Sequence, residues 1–174
     1  MKALFMDVDG VLTDGSIYVG PDNAEFKRFT VEDGVGVALA RQAQLPLAII
    51  SGRYSQATSE RAKQLKIEDI YQGEMNKLKP FEELLGKYGL ESAEVAYIGD
   101  GLIDIPVLEQ VGLPVTVPTA HPLVKQKAVY ITERMGGKGV VLEVVEWILK
   151  QQNRFEDVIA GLRVKIQEDQ IDAS

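Results

Sequence analysis

The sequence predicts an α/β fold with a parallel sheet. Three observations carry that expectation. Short β-rich runs alternate with segments of helical period along most of the chain. These runs are apolar throughout, as strands covered on both faces are. Several of them end in Asp, Ser or Gly-Asp, where an open α/β sheet presents its ligand crevice. At 174 residues one domain is the soft expectation, and a chain of this length buries a full core unaided.

Taken in order, residues 3–6 form the first strand and run into Asp7-Val8-Asp9-Gly10-Val11-Leu12-Thr13-Asp14-Gly15. Residues 16–30 break the alternation. Ile17-Tyr18-Val19, the turn Gly20-Pro21-Asp22-Asn23 and Glu25-Phe26-Lys27-Arg28-Phe29 read as a β-hairpin. A two-stranded hairpin is marginal alone, so it is expected to pack on something, another subunit included. Residues 45–50 are a strand ending in Ser51-Gly52-Arg53, with a helical pattern over 56–65. Residues 95–98 are a strand ending in Gly99-Asp100-Gly101, with a helical pattern over 103–111. Residues 115–117 and 128–131 are further strand candidates, and Trp147 sits in a helical run over 140–149 as a packing residue. Phe155, Val158, Ile159, Leu162 and Ile166 keep helical spacing, which predicts an amphipathic helix over 153–167 whose stripe needs a partner surface. Residues 169–174 read as a frayed end.

Composition narrows the chemistry. Apolar residues make up 45% and charged residues 26%, which is globular composition. The absence of cysteine excludes disulfides, Cys-based zinc sites, iron–sulfur clusters and a thiol nucleophile. A single histidine, His121, excludes a multi-His metal site, and its place before Pro122 reads as loop-fixing. A net charge of −7 without a basic run argues against nucleic acid and anionic membrane as partners. No apolar run reaches membrane-spanning length, and acidic residues arrive before a signal-peptide apolar region could form, so a cytoplasmic protein is expected.

The sharpest chemical signal is Asp7 and Asp9 beyond the first strand. Two carboxylates at i and i+2 on an unwinding strand end can both enter the crevice. One can attack phosphorus and form an aspartyl-phosphate; the other can protonate the leaving alcohol and then deprotonate water. The pair also suits Mg²⁺, a hard cation that takes oxygen ligands. The plain alternative is a solvated Gly-Asp loop.

The Asp-x-Asp-Gly-x-x-Thr pattern resembles the haloacid dehalogenase superfamily. Ser51 at a strand end, Lys77 just before a helix, and Gly99-Asp100 with Asp104 after another strand follow in the superfamily's order. Within it, the segments Phe29-Thr30-Val31-Glu32-Asp33-Gly34, Tyr71-Gln72-Gly73, Asn76-Lys77-Leu78, Ala120-His121-Pro122-Leu123 and Gly136-Gly137-Lys138-Gly139 are similar to the 3-deoxy-D-manno-octulosonate (KDO) 8-phosphate phosphatase family. The likeness spans residues 1–152, leaving a C-terminal helix and tail over 153–174. It implies a Rossmann-like three-layer α/β/α fold of the capless type with a protruding hairpin over about 16–30. The gaps from Asp9 to Ser51 and on to Lys77 leave no room for an inserted domain. It implies a phosphoric monoester hydrolase acting on a phosphorylated 2-keto-3-deoxy sugar acid, and a homotetramer associating through the hairpin.

The resemblance also assigns roles. Asp7 is nucleophile and Asp9 general acid/base; Asp7, the Asp9 carbonyl and Asp100 hold Mg²⁺; Asp104 steers Lys77 or a water. Ser51 and Lys77 grip the phosphoryl oxygens. Arg53 and Arg61 are expected at the substrate, each with a surface ion pair as its alternative, and Thr30, Asp33 and Gly34 line the pocket. Gly136-Gly137-Lys138-Gly139 either binds an anion at a helix start or simply leads into the helix. The chain departs from its relatives at Gly101, where they carry Asp, and at Ala38 and Leu142, where they carry Arg. Those changes keep open a nine-carbon 2-keto sugar acid phosphate or a broader set of small phosphate esters as substrate. A non-catalytic assembly module is the remaining alternative, and the presence of Asp7, Asp9 and Lys77 argues against it.

Overall fold

The computed structural model describes residues 1–171, with the side chains of Asn23 and of residues 165–171 set aside. In chain order the elements are β1 (Ala3–Met6), the hairpin strands β2 (Tyr18–Val19) and β3 (Glu25–Phe26), α1 (Val31–Gln42), β4 (Leu47–Ser51), α2 (Gln56–Leu65), β5 (Asp69–Gln72), α3 (Leu78–Tyr88), β6 (Val95–Ile98), α4 (Ile105–Leu108), β7 (Leu113–Thr116), α5 (Pro122–Lys125), β8 (Tyr130–Ile131), α6 (Val140–Gln151) and α7 (Phe155–Ile171).

Every residue of β1 and β6 is apolar or aromatic and buried. Strands without a polar face belong in the middle of a sheet with helices on both sides. The six-stranded sheet has the order β5-β4-β1-β6-β7-β8, with all pairings parallel. The chain first builds outward from β1 through β4 to β5, then returns to lay β6 on the other side of β1. The strand order therefore reverses between β1 and β6, and a crevice opens beyond their carboxyl ends.

Local chemistry sets the helix limits. Thr30 and Ser55 cap α1 and α2, their side-chain oxygens accepting from the N–H groups of Glu32 and Thr58. Gly89, at φ +62°, closes α3 in the left-handed conformation. Helices α1 and α6 approach so closely that a Cβ on Gly36 would lie 2.4 Å from the Leu142 nitrogen. The stripe of α7 finds its partner within the chain: Val158 is buried, Phe155, Ile159 and Leu162 pack against the core, and α7 lies on α1 and α6.

The structure shifts several sequence expectations. The strand expected over 115–117 starts earlier, at Leu113, and that over 128–131 shrinks to Tyr130–Ile131. The helical pattern over 103–111 splits into a 3₁₀ turn (Leu102–Asp104) and the short α4. β5 escaped the pattern because its four residues begin with Asp and end with Gln. The expected frayed end at 169–174 overlaps α7 up to Ile171, and residues 172–174, like the Ile166 side chain, lie outside the described residues. Among the described residues no helix is long and apolar enough to cross a membrane.

Candidate active site

β1 delivers Asp7 and β6 delivers Asp100 to the two sides of the switch point. The loop after β1 is wound tightly: the Val8 carbonyl accepts from the N–H groups of Val11, Leu12 and Thr13. Gly10 sits at φ +84°, and a Cβ there would lie 2.0 Å from Asp100 Oδ2. Only glycine lets the Asp100 carboxylate rest against this loop. The Thr13 hydroxyl lies 3.5 Å from Asp9 Oδ1 and accepts from the Gly15 N–H at 3.1 Å, joining Asp9 to the turn.

Lys77, immediately before α3, places its ammonium 2.7 Å from Asp7 Oδ2 and 2.7 Å from Asp104 Oδ1. Asp104 is saturated, because Tyr97 Oη donates to Oδ1 at 2.6 Å and the Gly101 N–H to Oδ2 at 2.9 Å. Asp7 Oδ1 accepts from the Val8 N–H at 2.7 Å. Burial, seconded by the charge of Asp104 and opposed by Lys77, pushes the Asp7 carboxyl up to about 7. Burial and then Asp104 push Asp100 up to about 6. Burial works against the Lys77 charge, yet Asp7 and Asp104 outweigh it and hold its pKa above the ordinary lysine value.

Carboxylate oxygens of Asp7, Asp100 and Asp104 come within 4.8 Å of one another. An all-oxygen set of two buried acids and the half-buried Asp100 fits a hard divalent cation, which would relieve the crowded charge. Asp104 accepts from Lys77, Tyr97 and the Gly101 N–H, while Asp7 shares the Lys77 ammonium and accepts from the Val8 N–H.

The remaining predicted residues divide. Ser51, buried at the end of β4, donates to the Arg53 carbonyl at 3.0 Å. Its loop abuts the turn after Asp100, since a Cβ on Gly52 would lie 2.6 Å from Ile103 Cδ1. Arg53 stands at the rim and pairs with Glu25 of the hairpin at 2.5 Å. Arg61 holds the Thr30 carbonyl at 2.9 Å and lies over the Phe29 ring, with Gly34 alongside. Thr30, Gly34 and Arg61 thus form a second cluster where the hairpin enters α1. Asp33 does something else. Its carboxylate accepts from the N–H groups of Gly139 at 3.3 Å and Val141 at 2.8 Å, capping α6. Burial nevertheless pushes its carboxyl up to about 6.

That cap settles the choice left open for residues 136–139: the anion at this helix start is Asp33 itself. The glycines serve close packing, because a Cβ on Gly136 would lie 1.9 Å from the Gly10 carbonyl oxygen. His121 fixes its loop, its Nδ1 accepting from the Leu123 N–H and its own N–H reaching the Asp100 carbonyl. Trp147 stacks on Tyr130 at 5.2 Å. Leu142 lines a groove with these two rings.

Sequence reasoning missed Lys27. Its ammonium lies 2.7 and 2.9 Å from the two oxygens of Asp9 and 3.4 Å from the Thr58 hydroxyl, with the side chain fully enclosed. The signal was available: in a hairpin strand Glu25 and Lys27 share a face, opposite the exposed Phe26.

With this geometry in place, known proteins give a consistent answer. The haloacid dehalogenase-like hydrolase family matches residues 47–144. The chain is 44% identical over 157 residues to 3-deoxy-D-manno-octulosonate 8-phosphate phosphatase KdsC of Escherichia coli, covering 90% of this chain and 84% of that protein.

The chain belongs to the haloacid dehalogenase-like hydrolases.

Among solved structures of this family, the 3-deoxy-D-manno-octulosonate 8-phosphate phosphatase of Yersinia pestis superposes with a TM-score of 0.87 at 45% identity, covering 90% of this chain and 84% of that one. The Moraxella catarrhalis phosphatase, solved with a magnesium ion, a phosphate ion and KDO, gives 0.89 at 41% identity and covers 93% of each chain.

Proposed function

We propose that this haloacid dehalogenase-like hydrolase is a Mg²⁺-dependent phosphatase that converts KDO 8-phosphate to KDO and phosphate. The observation that carries the reading is the buried Asp7–Lys77–Asp104 chain beside Asp100, with Asp9 two residues beyond Asp7. Asp7, the Asp9 carbonyl and Asp100 would hold Mg²⁺. When bound, the ion supplies countercharge to the phosphate and aligns it for in-line attack.

In the first half-reaction an Asp7 oxygen bonds to phosphorus, the bond from phosphorus to the sugar oxygen breaks, and the Asp9 carboxyl proton passes to that oxygen. In the second, water bonds to phosphorus, its proton passes to Asp9, and the Asp7 oxygen leaves. Lys77, aimed by Asp104, meets the phosphoryl oxygens together with Ser51 as charge builds on them. Arg53 at the rim is the side chain suited to the sugar carboxylate, because a guanidinium fork matches its two oxygens. The hairpin carries the assembly part of the reading. Phe26 (62% exposed) and Tyr18 (53%) face each other across the two strands and share one side of the hairpin, an apolar face that a homotetramer would cover.

Phosphate release from KDO 8-phosphate, its nine-carbon homologue and p-nitrophenyl phosphate tests the substrate. Release from KDO 8-phosphate should lead the panel and vanish with chelator and with Asp7→Asn. Equal rates across the panel would point to a general phosphatase instead. Asp7-independent release would overturn the nucleophile.

A further inference from the structure

The structure assigns Lys27 of the hairpin as the positioning residue for the general acid/base. The inference rests on the proposed role of Asp9.

An ammonium has three hydrogens to give. Lys27 donates to Asp9 Oδ2 at 2.9 Å and to the Thr58 hydroxyl at 3.4 Å, and its charge lies 2.7 Å from Asp9 Oδ1. With its side chain fully enclosed and its head given to Asp9 and Thr58, Lys27 is built to hold Asp9. The side chain is fully enclosed, whereas Asp9 keeps about a quarter of its side chain open to the crevice, at 26%. A lysine carries four rotatable bonds, and enclosure against Thr58 removes that freedom before the reaction begins. Thr58 is itself buried, with its N–H held by the Ser55 hydroxyl. The hold on Asp9 therefore runs from α2 through the hairpin to the catalytic loop.

The neighbouring pairs explain how Lys27 reaches this place. Glu25 is tied to Arg53 beyond β4, and Arg28 to Asp14 beyond the catalytic loop at 3.1 Å. These ties on either side of Lys27 lay β3 across the site. Asp9 is then fixed by the Lys27 hydrogen bond on Oδ2 and by the Thr13 hydroxyl 3.5 Å from Oδ1. A carboxyl group that must hand its proton to one sugar oxygen needs such fixing, since proton transfer demands hydrogen-bond reach and direction.

The test uses the leaving group. An alkyl alkoxide leaves only with a proton, whereas p-nitrophenolate leaves without one. kcat/KM reports the first irreversible step, formation of the aspartyl-phosphate, and so reads Asp9 as acid. Both substrates are measured on one preparation, so their ratio does not depend on the fraction folded. Lys27→Met should lower kcat/KM for KDO 8-phosphate about 10-fold or more beyond its effect on p-nitrophenyl phosphate, part of the roughly 10²–10⁴ a placed acid contributes. Lys27→Arg, which keeps a charged donor beside Asp9, should recover part of that ratio. Asp9→Asn sets the reference. If Asp9→Asn is selective for the alkyl substrate but Lys27→Met and Lys27→Arg lower both substrates equally, Lys27 is a hairpin anchor and the proposal falls. If Asp9→Asn shows no selectivity, the role of Asp9 falls, and this inference with it.

Discussion

The floor of the crevice and its hairpin rim use the same kind of bond to different ends. On the floor, Lys77 and Asp104 have no exposed side-chain surface, and each ion pair is locked by further donors such as Tyr97 and the Gly101 N–H. On the rim, Arg28–Asp14 and Arg53–Glu25 are open to water on at least one side. Exposed pairs contribute about 0–1 kcal/mol and can re-form elsewhere, whereas a buried charge stripped of its partner has nowhere to go. The floor therefore stores fixed charge for chemistry, and the rim ties the hairpin over it with water-exposed pairs. Lys27 belongs to both, with its backbone on the hairpin and its head enclosed at Asp9.

The largest effect should come from breaking the floor. Lys77→Met strands Asp7 and Asp104 together in a buried site, and should cost about 3–5 kcal/mol of stability along with phosphate release. Thermal melting beside an activity assay reads both. A variant that melts like the parent would mean that the floor charges are as well solvated as those on the rim.

Metal binding sharpens the comparison further. Asp7, at about 7, and Asp100, at about 6, lie above the ordinary carboxylate value of 3.8 that applies to the unfolded chain. Between about pH 4 and 7 the metal-free folded state therefore binds more protons than the unfolded one, and these groups make stability fall as pH rises through that window. Mg²⁺ needs both carboxylates ionised, so it competes with those protons. The rise in melting temperature on adding Mg²⁺ should be larger at pH 8 than at pH 5.5. Equal increments at the two pH values would remove burial as the source of the raised values.

The smallest effect on the chain itself belongs to the rim. Replacing Tyr18 and Phe26 together with Ser changes exposed side chains on one hairpin face, so the folding stability of the isolated chain should move by no more than about 0.5 kcal/mol per site. The mass measured by light scattering on a sizing column should fall from that of the proposed tetramer toward smaller species. An unchanged mass would take the apolar hairpin face out of the assembly.

Some of this was legible in the sequence because the signals are local. β1 and β6 announce themselves by apolar runs, and Asp7, Asp9, Ser51 and Asp100 lie within a few residues of strand ends. Asp104 follows by one 3₁₀ turn. Lys77 was legible only through the order of the motifs, since a lysine before a helix carries no signal by itself. Lys27, Arg61 and Asp33 resisted reading because their partners are remote: Lys27 meets Asp9 across 18 positions, Arg61 meets Thr30 across 31, and Asp33 meets Gly139 across 106.

The sequence by itself determined the parallel α/β sheet, the strand ends that carry the acids and the hairpin between β1 and α1. Strand burial and turn chemistry act over a few neighbouring residues, and the local order of residue types reveals them. Tertiary structure alone decided which acid meets which base. It placed Asp33 under α6 and not in the crevice, filled Asp104 with three donors, and set Lys27 on Asp9. Those outcomes depend on the strand reversal that makes β1 and β6 neighbours and on how the hairpin folds back, and no short-range pattern encodes either distance.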